Sequence, residues 1–437
     1  MRKNLFKKVL ALTLASTMAF SMAGCGSKGG SSDAKNDDGT IKLNVWHQWS
    51  NDTNELKGKY EEAVKAYEKE NPGVKIKTET LDTEAYKTKI NAEFAGDAKG
   101  IDVFYWWGAG TAKKLVDAGK VMALDDYVTD DVKSKILEGS TSAFEFDGKL
   151  YSVPMFSWYM TLFCNKTMFD KAGATLPTTY DELVDAVKKL KKLDGVTPMA
   201  AGAKDGWNAA FVYQALALRE VGATGVNEML SGNKEFGDEG FKKAAQKVSD
   251  LYEMGAFGDN PLEQGNDDAN AAFENGKAAM RLMGSWFANN VYTDDAATIK
   301  PEEVVALKIP TIADGKGEAT DYCGGFVESF WVNNNTKYKE EAAKFCIYIN
   351  EKMGVASYET GSGFSGWTTP ADESNLNPLF IQIKDLLAEG KQGVLAWDTS
   401  LESEPAAVHN EQVQTLFADG ADIDAFIDEH KAAINGK

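Results

Sequence analysis

Between Ile41 and Val103 the chain alternates between two hydrophobic periods, and this alternation restricts the kind of core it can build. In IKLNV, Ile41, Leu43 and Val45 occupy every second position, which predicts a strand. Leu56, Tyr60, Val64 and Tyr67 then recur at helical spacing until Asn71-Pro72-Gly73 stops them. Val74 and Ile76 begin a second strand, Tyr86, Ile90 and Phe94 mark a second helix, and Ile101 and Val103 open a third strand. Strand, helix, strand, helix, strand in this order predicts an α/β protein that starts as a doubly wound sheet.

The later chain continues in the same idiom with more helix. GKLYSVPMFSWYMTLFCNK reads as a strand pair around Pro154. TTYDELVDAVKKLKKL has an N-capping threonine, with Leu183, Val187 and Leu190 on one helical face. Ala209 to Met254 is mostly helical, GKAAMRLMGSW is a short strand ending at Trp286, and GGFVESFWV from Gly324 to Val332 is another strand. A helix over Lys337 to Lys352 follows, and the C-terminus from Ala407 is an amphipathic helix with Val408, Val413, Leu416 and Phe417 as its apolar members.

At the other end, Arg2, Lys3, Lys7 and Lys8 precede an apolar run from Val9 to Phe20, the layout of an export signal. The run is too short to span a membrane, which takes roughly 20 apolar residues. Met22-Ala23-Gly24-Cys25 closes it and resembles the bacterial lipobox, whose cysteine is acylated and becomes the first mature residue. Cleavage alone needs only the small pair Ala23-Gly24, so the cysteine is surplus to cleavage. The resemblance therefore implies residues 1–24 as signal peptide, a membrane anchor at Cys25 and a flexible tether over 25–39.

A net charge of −19 without a basic cluster argues against nucleic acid and against adhesion to anionic headgroups. Cys164, Cys323 and Cys346 leave room for one disulfide but show no framework. His47, His409 and His430 have no zinc spacing; no metal or cofactor is expected. GSGFSG at Gly361 to Gly366 matches a dinucleotide pattern but follows a helical stretch instead of a strand. No phosphate loop, GxSxG elbow or HExxH occurs. Several tryptophans stand at predicted strand ends: Trp46 and Trp49 in NVWHQWS, Trp106 and Trp107 in DVFYWWGAG. Ligands of open α/β sheets bind outside the carboxyl ends of the strands, so these rings are expected at a cleft. Alternation allows at most one of Trp106 and Trp107 to reach it if the strand runs through both.

Over nearly all of the mature chain these segments resemble the extracellular solute-binding proteins of ABC importers, in the group that includes the maltose-binding protein. GIDVFYWWG, GKLYSVPMFSWYMTLFCNKTMFDKAGATLPTTYDEL, GKAAMRLMGSW and GGF carry the likeness, with Cys164-Asn165-Lys166 where the family usually has tyrosine-asparagine-lysine. The resemblance implies a two-lobed, type II periplasmic-binding-protein-like fold with a ligand cleft at a hinge. It puts one lobe at 41–156 plus 327–370 and the other at 157–326 plus 371–437. Carried over by motif, Gln48, Trp49, Ser50 and Asn51 line the cleft. Trp106, Trp158, Trp207, Trp286 and Trp367 supply aromatic faces, and Asp205 and Glu328 accept hydrogen bonds. It implies a lipid-anchored, non-enzymatic, monomeric receptor on the outer face of a bacterial membrane, delivering a carbohydrate, an oligosaccharide, to a permease. A secreted glycoside hydrolase and a receptor for a non-sugar solute are the alternatives.

Overall fold

The computed structural model describes residues 39–52, 54–293 and 297–436; the leader, Cys25 and the tether through residue 38 lie outside them. The first elements are β1 (Ile41–His47), α1 (Glu55–Glu70), β2 (Val74–Thr80), α2 (Thr83–Ala95) and β3 (Val103–Trp107), with β1 parallel to both β2 and β3. Local chemistry fixes the helix starts: Asn54 accepts from the Leu56 amide and Asp82 from the Ala85 amide, each satisfying a donor that has no partner within the helix. α3 (Ala109–Asp117), α4 (Asp130–Lys135) and a hairpin of β4 (Glu145–Phe146) and β5 (Lys149–Leu150) lead to the long strand β6 (Phe156–Asn165).

A second body follows: α5 (Lys166–Ala172), α6 (Tyr180–Leu190), β7 (Thr197–Ala200), α7 (Gly206–Leu230), α8 (Glu239–Glu253), α9 (Asn266–Glu274), β8 (Ala278–Gly284), α10 (Phe287–Thr293) and β9 (Val304–Leu307). α6 opens on the threonine its sequence announced, in a full capping box between Thr179 and Glu182. The helical stretch expected from Ala209 to Met254 is two helices. Within α7, Gly222 leaves helical geometry at φ 80°, and the Lys316 and Gly317 amides donate to the carbonyls of Glu220 and Arg219 beside the break.

β10 (Asp321–Val332) then returns to the first body, where α11 (Lys339–Glu359) packs, and β11 (Phe364–Ser365) pairs with β6. α12 (Pro378–Ala388), β12 (Gln392–Val394), α13 (Trp397–Ser400), α14 (Ser403–Thr415) and α15 (Ile423–Asn435) complete the second. The main sheet is ordered β2-β1-β3-β10-β6-β8-β7. It runs through both bodies because β10 pairs with β3 at one end and with β6 and β12 further back, while β6 continues onto β8 and β9. Where β6 and β10 meet, a Cβ on Gly324 would lie 2.0 Å from the Trp158 carbonyl. With φ at 134° as well, only glycine fits. Two cores result: one centred on β1, β3, α1, α2 and α11, the other on β6, β8, α6, α7 and α8. The molecule is two-lobed.

The three cysteines are buried and free. Cys164 sits inside β6 opposite Met280 and Val305, and its neighbour Asn165 caps α5. GSGFSG runs from the end of α11 into β11, so it lacks the strand–turn–helix setting of a dinucleotide loop. On α14 the buried position next to the half-buried Val408 belongs to His409. Its Nδ1 is 2.9 Å from His430 Nε2, and His430 Nδ1 is 2.8 Å from the Phe426 carbonyl. Burial holds both imidazoles below their usual range, His430 to about 4, so they serve as neutral core groups.

Trp331 is fully buried in β10, and its indole N–H donates to the Trp106 carbonyl at 3.1 Å. Trp331→Ala should cost roughly 3 to 5 kcal/mol, the range for truncating a core tryptophan, measured by urea unfolding. A loss under about 1 kcal/mol would mean the first core collapses around the gap.

Candidate functional site

Between the lobes lies a cleft of about 1140 Å³, above the roughly 300 to 1,000 Å³ of ordinary small-molecule sites. From the first lobe, Gln48, Trp49, Ser50 and Asn51 line it directly after β1, and Trp106 and Trp107 line it at the end of β3. Trp158, Asp205, Trp207, Phe211 and Trp286 face them from the second lobe, with Glu328 of β10 beside β3. Ten of the eleven residues expected at a ligand site are therefore on one surface.

Trp367 is the exception and corrects that expectation. It is buried in the first core, where its indole N–H donates to the Pro154 carbonyl at 2.7 Å. A side chain whose polar atom is satisfied inside a packed core has no face for a ligand; Ser362, earlier in the same loop, reaches the cleft instead. Trp46 also stays inside, because β1 runs through it. Both Trp106 and Trp107 touch the cleft, against the expectation of at most one, since β3 ends at Trp107 and the chain turns at once through Ala109 at φ 51°. Alternation lapses where the strand stops. Of the pair, Trp107 is half-buried and Trp106 almost wholly buried, its N–H directed at the Thr111 carbonyl.

The rings that remain partly exposed are Trp107, Trp207 and Trp286. Packing fixes their directions: Trp158 stacks on Phe211 at 5.4 Å, with Trp286 edge-on to Trp158 at 5.0 Å and Trp207 edge-on to Phe211 at 5.3 Å. Trp107 stands edge-on to Tyr105 and Trp106. Polar groups stand between the rings. Gln48 Oε1, Trp207 Nε1 and Asn410 Oδ1 are buried without a hydrogen-bond partner among the described residues, although buried polar atoms are nearly always paired. Sequence reasoning named Trp107 only as the alternative to Trp106, and missed Asn410, Asp398 and Lys87, which come from two late helices and the exposed side of α2. No sequence pattern pointed to these three.

A buried arginine holds the second wall. Arg281 on β8 donates to the Asn208, Asn266 and Asn270 side chains and to the Ala200 and Ala201 carbonyls. It ties the start of α7, which carries Asp205 and Trp207, to the start of α9. Asp205 strengthens the tie by accepting from the Asn266 amide at 2.6 Å. Burial lowers the Arg281 guanidinium to about 9, against the opposing charges of Glu274 and Asp205.

Burial also pushes the Glu328 carboxyl up to about 7, with Tyr105, Trp107 and Lys87 acting in the other direction. A glutamate in the unfolded chain ionises at about 4.3. Between that pH and about 7 the native state binds more protons than the unfolded one, so this group's contribution falls as pH rises, by about 4 kcal/mol in all. Glu328→Gln should therefore be more stable than wild type at pH 8 and lose that advantage by pH 4.5. Parallel urea titrations at the two pH values test this; equal differences would place the ionised carboxylate in a better-solvated site.

A family model described as bacterial extracellular solute-binding protein matches residues 50–355. The multiple sugar-binding protein of Streptococcus mutans is 24% identical over 368 residues, 81% of this chain and 80% of the relative. Among solved structures, one from work on xylan utilization by the thermophilic bacterium Caldanaerobius polysaccharolyticus is 36% identical, covering 90% of this chain and all of the other with a TM-score of 0.86. A chitin oligosaccharide binding protein superposes with a TM-score of 0.81 at 22% identity over 91% and 98% of the two chains, a likeness of fold. The two lobes, the cleft between them and the matched residues agree: the chain belongs to the bacterial extracellular solute-binding proteins.

Proposed function

We propose that this protein captures an uncharged oligosaccharide between its lobes and delivers it to the permease of an ABC importer, without chemistry on the sugar. The observation that carries the reading is the set of partly exposed indoles, Trp107, Trp207 and Trp286, among unpartnered polar atoms in one large cleft. A pyranose has an apolar C–H face that lies on an indole and a rim of hydroxyls that seeks fixed donors and acceptors. The relatives support it: they include a multiple sugar-binding protein, a chitin oligosaccharide binding protein and a protein with mannotriose bound. The relative at 36% identity comes from work on xylan utilization, which makes xylo-oligosaccharides the first ligands to try.

Charge argues against an anionic ligand. Asp82, Glu84, Asp205, Asp267, Asp268, Glu274, Glu328 and Asp398 line the cleft against Lys87, Lys114 and Lys204. An acidic sugar would enter a field of its own sign. Closure about the β6 and β10 crossings and the later passage near 365–378 is the mechanism we infer, with lobes of 41–156 plus 327–370 and 157–326 plus 371–437. Ligand favours the closed form by contacting both walls.

A thermal-shift screen with xylo-, chito- and manno-oligosaccharides and a uronate-bearing counterpart tests the reading. A neutral oligosaccharide recovered uncleaved should raise the melting temperature, and the uronate should not. Cleavage of the sugar would favour the hydrolase alternative, and no shift with any sugar would favour a non-sugar solute. Trp286→Ala should then raise the dissociation constant roughly 30-fold, equivalent to a contact of about 2 kcal/mol, with little change in melting temperature. Trp367→Ala should do the reverse. The lipobox reading makes Cys25 the anchor, so Cys25→Ala should move the protein into the medium with binding intact; retention at the membrane at wild-type level would remove that part of the proposal.

A further inference from the structure

Lys87 projects from α2 into the cleft and meets both lobes at once. Its ammonium stands 5.2 Å from the centre of the Trp107 ring and 5.7 Å from that of Trp207, both within the ~6 Å over which an indole face attracts a cation. Trp107 ends β3 on the first lobe; Trp207 begins α7 on the second. The same ammonium pairs with Glu84 Oε1 at 3.0 Å, one turn back on its own helix.

The surrounding carboxyls explain why a cation is needed there. Burial chiefly holds Asp205 and Asp398 above their usual range; Glu84 adds to that from across the cleft, and Lys87 opposes it. Lys87 also acts on Glu328 in the sense that favours its ionised form, against the larger effect of burial. Bringing the lobes together thus sets Glu84 of one against Asp205 and Asp398 of the other. Such repulsion grows as water leaves the cleft, because the effective dielectric falls. Lys87 rides on the helix that carries Glu84, so it arrives with the charge it offsets.

We propose that Lys87 is an interlobe latch, a positioning residue that ties Trp107 and Trp207 to one ammonium and offsets the repulsion between carboxylates of the two lobes. The indole of Trp207 is held where it faces the cleft, and the lobes approach without stranding like charges against one another. Its effect on affinity rests on the oligosaccharide reading; its effect on shape does not.

The test uses the full mature chain as wild type, Lys87→Met, Lys87→Arg and the double variant Lys87→Met/Glu84→Gln. X-ray scattering without ligand reads the lobe arrangement, and titration with the best-stabilising oligosaccharide reads affinity. Lys87→Met should enlarge the radius of gyration and raise the dissociation constant about tenfold, with the melting temperature near that of wild type. Lys87→Arg keeps the cation over the rings and should match wild type, and the double variant, which also removes the opposing charge, should recover most of both losses. An unchanged radius in Lys87→Met overturns the latch. If affinity falls while the radius stays fixed, Lys87 is a direct ligand contact instead. A wild type stabilised by no oligosaccharide would sink the sugar reading, and the ligand-free scattering comparison would still decide the latch.

Discussion

The pairing of β6 with β10 is the constraint on which the rest of this molecule depends. Each strand starts in one lobe and ends in the other, so one hydrogen-bonded sheet spans two separate cores. The contact is backbone on backbone: Gly324 lies against the Trp158 carbonyl with no room for a side chain. The ladder slips between Phe326 and Glu328, and a β-bulge there adds twist and loosens register. A joint that is tight on one side of the bulge and irregular at it can bend without breaking the sheet. The groups that line the floor, Phe156, Trp158 and Glu328, come from these same residues. The joint and the floor of the cleft are one structure.

Rigid walls are the complement of that joint. On the second lobe Arg281 replaces water with five fixed acceptors and ties together the loop before α7 and the start of α9. A buried guanidinium is costly unless its donors are satisfied, and then its planar fork fixes geometry well. The first lobe uses apolar packing for the same purpose. Trp49 sits in a cluster with His47, Tyr60, Tyr105 and Phe330, and the Tyr86 hydroxyl donates to the Tyr105 carbonyl at 2.6 Å, just before the paired tryptophans. Each wall is preorganised by its own core.

Elements with long, clean periodicity were legible from the residues alone. The opening β1-α1-β2-α2-β3 unit, the N-capping threonine of α6 and the strand GGFVESFWV rest on local patterns that tertiary contacts do not override. What the residues hid has particular causes. The break at Gly222 is stabilised by amides of Lys316 and Gly317, nearly a hundred positions away in the chain. His409 looks polar on a helical wheel and becomes core because His430 and Gln214 complete its hydrogen bonds. Trp367 carries the composition of a stacking residue, and only the nearness of the Pro154 carbonyl decides that it packs. For a tryptophan the partner of the indole N–H separates packing from recognition, and no sequence pattern states that partner.

The same criterion orders the cleft. Trp331 and Trp367 direct their N–H groups at backbone carbonyls and are committed to the fold; Trp106 does the same at the Thr111 carbonyl while still touching the cleft. Trp207 has no partner for its shielded N–H among the described residues. An unpaired donor at a shielded site costs free energy unless something arrives to accept from it. Gln48 Oε1 and Asn410 Oδ1 are its acceptor counterparts, so the cleft presents positions of both senses on opposite lobes. A molecule bearing hydroxyls, each able to donate and to accept, meets both kinds of demand, whereas a purely cationic or purely anionic ligand meets one and worsens the other.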